Sequence, residues 1–396
     1  MRGYSARRNL ILLQISSGAG RESDMTSTAA LVYSLMLAAF ARPAAAQDLN
    51  AVLANARRGS QIPAMSVLLI QKGKVAGEAA TGVRSLGGGQ PVTTRDVWHI
   101  GSDGKAMTAT MIARLVDRGV LSWKTPLAKL LPTIATDMQP AYRAVTLRDL
   151  LSHQAGLQAN VDMAVLDASR HDTRPMHVQR LAYARIALSQ QPAYQPGTGN
   201  IYSNNGVVIA ATVAEQVTSL SYEDLMRREV FVPLRMTSAA FGPTGPGQPL
   251  GHDHGKPQTG PDADNPPVIA PVGEIHLSMA DWARFAIDQL EGESGQGRLL
   301  RTETYRFLHT AGRPGSEFAL GWDLTPTIGG VAGPFLTHAG SNTLWYAVIV
   351  LEPRTLGGVL VAANAGQDAG ADKAEGAVVK ALLPFLGTTP GTLGER

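Results

Sequence analysis

The most informative segment of this 396-residue chain is Gly101-Ser102-Asp103-Gly104-Lys105. It begins an apolar stripe that continues to Arg118, a pattern that predicts a helix over residues 102–118. Ser102 and Lys105 are three residues apart, so both side chains lie on one helix face. A lysine can take the proton of a serine hydroxyl once burial or a nearby charge lowers its pKa. The segment therefore makes Ser102 a candidate nucleophile, with a helix-capping serine as the alternative.

Two motifs further along the chain strengthen the first interpretation. Tyr202-Ser203-Asn204 follows about 100 residues later, and His338-Ala339-Gly340-Ser341 precedes an apolar run that begins at Leu344. The order and spacing of the three motifs resemble those of the serine β-lactamases and penicillin-binding proteins. Residues 150–157 and 318–322 are similar to segments of the class C and esterase branch. The resemblance covers roughly residues 50–385.

This resemblance implies a chemistry and a set of roles. Ser102 would attack a carbonyl carbon and become acylated, while Lys105 and Tyr202 exchange the proton in an order that stays open. The backbone N–H groups of Ser102 and Ser341 would form the oxyanion hole. Further residues are expected to contact the substrate, and these are Asn204, His338, Gly340 and Trp345. Asn204 would bind a substrate amide or hold Lys105.

The sequence departs from the family's pattern in two places. Asp103-Gly104 stands between the serine and the lysine, and a glycine inside a helix costs about 1 kcal/mol relative to alanine. His338 stands where β-lactamases carry a lysine. A lysine offers a permanent positive charge to a substrate carboxylate, whereas a histidine is mostly neutral near pH 7. The second departure favours neutral esters or amides over penicillins.

The remaining pattern predicts an α/β (α+β) fold. Apolar runs at 65–70 and from Val75 predict a β-hairpin, and runs at 344–351 and 359–363 predict a second one. A helix is expected over 372–386. Strands at both ends of the chain predict one antiparallel sheet flanked by helices, with an inserted all-helical lobe over about 102–268. Residues 242–272, rich in Gly and Pro, predict a long surface loop.

Residues 1–46 read as a leader ahead of a catalytic domain at 47–396. Arginines precede a short apolar run and an Ala-rich cleavage pattern, which is the order of a secretory signal with its cut near Ala46. The expectation is an exported, periplasmic or secreted protein without a stable membrane anchor. The leader holds the whole net charge of +3, so no nucleic-acid surface is expected.

No cofactor or metal is expected. The chain has no cysteine, which excludes thiol catalysis and thiolate metal sites. His252-Asp253-His254 offers a histidine pair for a metal, but no further ligands cluster around it in the sequence. The expected partner is a small ester, amide or peptide. Two rivals stay open: a class C-like β-lactamase or D-alanyl-D-alanine carboxypeptidase, and a non-catalytic binding or sensor protein on this fold.

Overall fold

The computed structural model describes residues 48–387, and in it a six-stranded antiparallel sheet combines strands from the early and the late part of these residues. The strand order across this sheet is β2-β1-β11-β10-β9-β8. The strands are β1 (Ala64–Gln71), β2 (Lys74–Gly82), β8 (Asp323–Ile328), β9 (Val331–Ser341), β10 (Tyr346–Glu352) and β11 (Gly357–Ala363). Both predicted hairpins are confirmed as the β1–β2 and β10–β11 pairs. The first hairpin turns at Lys72 and Gly73, both with positive φ.

The sheet is covered by helices on both faces. Every residue of β1 and of β11 is buried, as expected for inner strands that pack on both sides. Alternate residues of β1 belong to two cores: Leu68 and Ile70 pack against α10 and its neighbours, while Val67 and Leu69 face α1 and α12. The α/β fold with its antiparallel sheet is thereby confirmed.

The helices fall between and around these strands. Their bounds are α1 (Leu49–Arg57), α2 (Gly104–Asp117), α3 (Leu127–Leu130), α4 (Leu147–Leu151), α5 (Met163–Ser169), α6 (Met176–Ser189), α7 (Asn204–Thr218), α8 (Tyr222–Met226), α9 (Ala270–Gly273), α10 (Met279–Gly292), α11 (Thr302–Leu308) and α12 (Ala371–Leu382). Helix α2 matches the expected one, except that Gly101–Asp103 forms a 3-10 turn ahead of it. The expected last helix ends earlier, at Leu382, and a 3-10 turn containing Pro384 follows.

Short strands accompany the helices of the inserted segment. These are β3 (Val97–His99), β4 (Ala240–Phe241), β5 (His252–Asp253), β6 (Lys256–Pro257) and β7 (Ile275–Ser278). Strands β3, β7 and β4 form a small sheet of their own. The inserted segment is thus not purely helical, because β4, β5 and β6 lie within it.

The predicted surface loop over 242–272 is wrong at its C-terminal end. Residues 268–272 are buried and pack against α6 and α7 through a 3-10 turn and α9. Their apolar side chains, Val268, Ile269 and Val272 among them, explain why this part of the chain enters the core. The predicted leader and the last nine residues lie outside the described residues. No helix among residues 48–387 is long and apolar enough to cross a membrane.

Candidate active site

Ser102 and Lys105 meet where the 3-10 turn runs into α2. Lys105 Nζ lies 2.6 Å from Ser102 Oγ and 3.1 Å from the carbonyl oxygen of Val272. Ser102 is half-buried, whereas Lys105 is fully buried. The arrangement follows from the spacing of three residues on one helical face. The contact with Val272 was missed because it comes from the segment predicted to be a surface loop.

The Lys105 amine is held in a state suited to accept a proton. Burial lowers its pKa from 10.5 to about 7, and the nearby Asp103 and Asp323 carboxyls oppose that shift. Burial in turn raises the pKa of Asp103 well above its usual range, which favours the neutral acid. At neutral pH a large share of Lys105 is therefore the free amine that a general base must be.

Tyr202 and His338 complete the cluster around Lys105. Lys105 Nζ lies 4.9 Å from the centre of the Tyr202 ring, and the Tyr202 and His338 rings are 6.1 Å apart. His153 packs on the Tyr202 ring at 4.7 Å, and its Nδ1 accepts a hydrogen bond from Ser203 N–H. His153 thus supports the Tyr202 ring and the backbone of the residue that follows it.

The surroundings of His338 keep its imidazole ring neutral. It lies on β9 and is 4% exposed; burial and the charge of Lys105 lower its pKa to about 3. Its Nδ1 lies 3.1 Å from the Ala339 carbonyl, which can only accept, so Nδ1 carries the proton and Nε2 is left as an acceptor. The side chain therefore offers a substrate a hydrogen-bond acceptor and no positive charge.

The 3-10 turn Gly101–Asp103, called the nucleophile turn below, is in direct contact with strand β9. A methyl group added at Gly340 would lie 2.0 Å from the Ile100 oxygen and 2.6 Å from Ser102 N. One added at Gly101, where φ is +50°, would lie 2.4 Å from Ser341 N. Only glycine permits this approach, which places the N–H groups of Ser102 and Ser341 on adjoining segments. The conflict at Gly104 is milder: a methyl group there would lie 3.2 Å from Ile275 Cδ1, the end of a side chain that would have to shift slightly.

Two of the predicted substrate-binding residues have other contacts. Asn204 begins α7; its amide nitrogen donates to Asn160 Oδ1 at 2.8 Å, and its buried Oδ1 has no hydrogen-bond partner within residues 48–387. Trp345 is 3% exposed and packs edge-on against Trp98 at 6.2 Å. Binding of substrate by Asn204 and Trp345 stays a prediction.

A possible cation site lies apart from these residues. Asp253, His254 and Asp368 offer ligand atoms within 4.8 Å of one another, and all three are exposed. His252, the other histidine of the pair considered as metal ligands, is buried instead. Its ring contacts Leu86 N and the Asn364 carbonyl oxygen, so its two nitrogens are occupied by the backbone.

Known proteins share both the sequence pattern and the fold. Penicillin-binding protein 4 of Amycolatopsis lactamdurans is 32% identical over 216 residues, which are 53% of this chain and 55% of that protein. The beta-lactamase of Escherichia coli K12 is 25% identical over 212 residues, 53% of this chain and 52% of its own. The matched regions thus span about half the length of these two relatives.

Solved structures match over more of the chain. The octameric penicillin-binding protein homologue from Pyrococcus abyssi superposes with a TM-score of 0.70 and 22% identity, covering 87% of this chain and 78% of that one. SurE superposes with the same TM-score and 23% identity, covering 89% and 78%. At these identities the likeness establishes the fold alone. The sequence model of one family, Beta-lactamase, matches residues 49–383, and the chain therefore belongs to the Beta-lactamase family.

Proposed function

We propose that this protein is an exported serine hydrolase that cleaves carboxylic esters or D-amino-acid peptides through an acyl-enzyme on Ser102. The observation that carries the proposal is the 2.6 Å contact between Ser102 Oγ and Lys105 Nζ, with Lys105 fully buried and its pKa at about 7. A serine hydroxyl this close to an amine that is partly deprotonated at neutral pH has the base that nucleophilic attack needs.

The reaction would proceed in two acyl transfers. Lys105 Nζ takes the hydroxyl proton as Ser102 Oγ attacks the carbonyl carbon. The negative charge that develops on the carbonyl oxygen is stabilised by the N–H groups of Ser102 and Ser341. The proton then passes to the leaving oxygen or nitrogen, by way of Lys105 or Tyr202, and the acyl-enzyme forms. Water repeats the attack, releases the acid and restores the Ser102 hydroxyl.

His338 is the residue that bears on the substrate class. A neutral imidazole beside the nucleophile cannot attract a substrate carboxylate electrostatically, because its pKa of about 3 lies far below neutral pH. Neutral esters and amides need no such charge pair, whereas penicillins, cephalosporins and peptides with a free terminal carboxylate would bind without one. The Asn204 Oδ1 acceptor would suit the N–H of an amide substrate.

Peptides with D-amino acids stay in the proposal beside the esters. The relative from Amycolatopsis lactamdurans is named a penicillin-binding protein, and SurE has been solved with D-Leu. A class C-like β-lactamase or a D-alanyl-D-alanine carboxypeptidase is the alternative activity. A binding or sensor protein is the alternative without turnover.

A fluorophosphonate probe tests the nucleophile. The probe should label the parent protein and the Ser102→Ala variant should lose both labelling and ester turnover while circular dichroism stays unchanged. Ser294→Ala, at an exposed serine, is the matched control and should behave like the parent. Undiminished turnover in Ser102→Ala would refute the catalytic assignment.

A substrate panel then separates the alternatives. p-Nitrophenyl esters, D-alanyl peptides and a chromogenic cephalosporin are compared by kcat/KM on the same preparation. Preferred ester turnover supports the proposal, preferred release of a carboxyl-terminal D-alanine from the peptides supports a D-alanyl-D-alanine carboxypeptidase, and preferred cephalosporin turnover supports a β-lactamase. Labelling of Ser102 without turnover of any substrate would identify a binding or sensor protein.

Export is tested separately. The proposal of a leader at residues 1–46 rests on the order of its arginines, apolar run and Ala-rich site. N-terminal sequencing of the protein recovered from outside the cytoplasm should find a start near Gln47. A protein retained in the cytoplasm with its leader intact would contradict export.

A further inference from the structure

A buried histidine and a buried aspartate lie behind the nucleophile turn. His99 is the last residue of β3 and is 1% exposed, and Asp264 lies between β6 and α9 and is 5% exposed. His99 Nε2 is 2.9 Å from Asp264 Oδ1, although the N–H bond does not point along the line to that oxygen. The reaction described above uses neither side chain, so this interior pair needs its own explanation.

His99 is hydrogen-bonded to the nucleophile turn. The Gly101 backbone N–H donates to His99 Nδ1 at 3.1 Å, and Gly101 immediately precedes Ser102. Nδ1 therefore carries no proton, and the ring proton is on Nε2, which faces Asp264. The bond holds the nucleophile turn in place at Gly101, where φ is +50° and the backbone closely approaches Ser341 N.

Asp264 is hydrogen-bonded to the segment that follows strand β9. Asn342, the residue after Ser341, donates from Nδ2 to Asp264 Oδ1 at 3.0 Å. The Asn342 side-chain oxygen in turn accepts from the N–H groups of Leu344 at 3.2 Å and Trp345 at 3.1 Å. Burial alone would raise the pKa of Asp264, but His99, Asn342 and the Asn265 N–H outweigh it and lower that pKa. The carboxylate thus anchors the turn between β9 and β10.

We infer that His99 and Asp264 are positioning residues that hold the two halves of the oxyanion hole, the Ser102 and Ser341 N–H groups, at a fixed separation. The inference rests on the proposed function, since it assigns a task within that acyl transfer. One connected set of contacts runs from Gly101 through His99, Asp264 and Asn342 to the β9–β10 turn. An oxyanion hole is effective only when its donors stay 2.7–3.1 Å from the developing charge, so a link of this kind has a catalytic consequence.

Two substitutions at His99 separate positioning from packing. His99→Leu removes the acceptor for Gly101 N–H. His99→Asn keeps it, because an asparagine oxygen readily accepts from the N–H two residues on. We expect His99→Leu to lower kcat about 10- to 100-fold with KM nearly unchanged, and His99→Asn to recover most of that loss. Rates are expressed per active site, counted by fluorophosphonate labelling.

A boronic acid inhibitor provides a readout that a packing defect would not move. Its tetrahedral adduct with Ser102 places an oxygen in the oxyanion hole, so its affinity should fall by the same factor as kcat. Asn342→Ala, at a half-buried residue, breaks the same link and should show the same parallel loss even if a His99 variant fails to fold. His276→Asn is the matched control: this buried histidine pairs with His99 in the small sheet but bonds the Gly242 carbonyl instead. It should keep the parent's kcat.

The outcomes distinguish the inference from its premise. Parent-like kcat and boronate affinity in His99→Leu or Asn342→Ala, in a parent that is labelled and active, would overturn the positioning role alone. Equal losses in His276→Asn would also overturn it, since any disturbance of the small sheet would then suffice. A parent that forms neither the labelled nor the boronate adduct would refute the proposed function, and the inference with it.

Discussion

Replacement of Lys105 by methionine is expected to abolish turnover and, relative to the parent, to favour the folded state increasingly as the pH falls. Lys105 is fully buried, and its amine lies within hydrogen-bond distance of Ser102 Oγ and the Val272 carbonyl. Methionine has a similar unbranched stem and no charge, so it fills the same space without ionising.

The size of the effect follows from the two pKa values of Lys105. The unfolded chain has the reference value of 10.5 and the folded protein a value of about 7. Between these pH values the unfolded state binds a proton that the folded state does not, so parent stability rises with pH across this window and the penalty is full below pH 7. The penalty is about 4 kcal/mol at pH 7 and about 2 kcal/mol at pH 9.

Methionine removes this penalty and also the lysine's hydrogen bonds. The second loss, roughly 1–3 kcal/mol, does not depend on pH over this range. The difference in free energy of unfolding between variant and parent should therefore shift by about 2 kcal/mol in favour of the variant from pH 9 to pH 7. Urea denaturation of both proteins at pH 7, 8 and 9 measures it.

Lys129→Met serves as the control, because Lys129 is exposed and solvated. Its difference from the parent should stay constant over the same pH range. If the Lys105→Met difference is equally constant, Lys105 keeps its proton at neutral pH in the folded protein. The general-base role derived from its burial would then be wrong.

Three further results are expected. For a neutral ester, kcat/KM should fall about tenfold per pH unit below pH 7 and level off above it, as the free amine of Lys105 requires; a titration midpoint near 10 would contradict this. His338→Lys should raise the kcat/KM of a cephalosporin relative to a neutral ester roughly tenfold, by adding about 1–2 kcal/mol of charge pairing; an unchanged ratio would show that this position does not select the substrate. Gly340→Ala should slow fluorophosphonate labelling at least about a hundredfold, since its methyl would lie 2.6 Å from Ser102 N; parent-like labelling would show that the strand and the turn can separate freely.

The local part of the site could be predicted from the sequence. Ser102 and Lys105 are brought together by helical spacing alone, and the two hairpins follow from short apolar runs beside Gly and Pro. The motif order also placed Tyr202 and His338 near them, and the structure brings all four side chains into one cluster.

The parts that depend on distant packing could not be predicted. Val272 and Asp264 lie in a stretch whose Gly and Pro content indicated a surface loop, yet its apolar residues draw it under the site. No sequence pattern indicated a role for His99. Gly101 is its one near neighbour in the sequence among the partners named above, and Asp264 and His276 lie more than 160 residues further along the chain. A run of buried-type residues at 268–272 was the one clue in the sequence, and periodicity over five residues is too short to assign it.

The strand order of the main sheet also has a consequence during synthesis. Ala64 N–H donates to the Asn364 side chain 300 positions later, and β11 lies between β1 and β10. At roughly 5–20 residues per second, the β1–β2 hairpin leaves the ribosome about 15–60 s before its neighbour exists. During that interval β1, apolar on both faces, presents an unpaired edge to every other nascent chain. The native sheet can therefore close only after β11 has been made, when nearly all of the described residues have been synthesised.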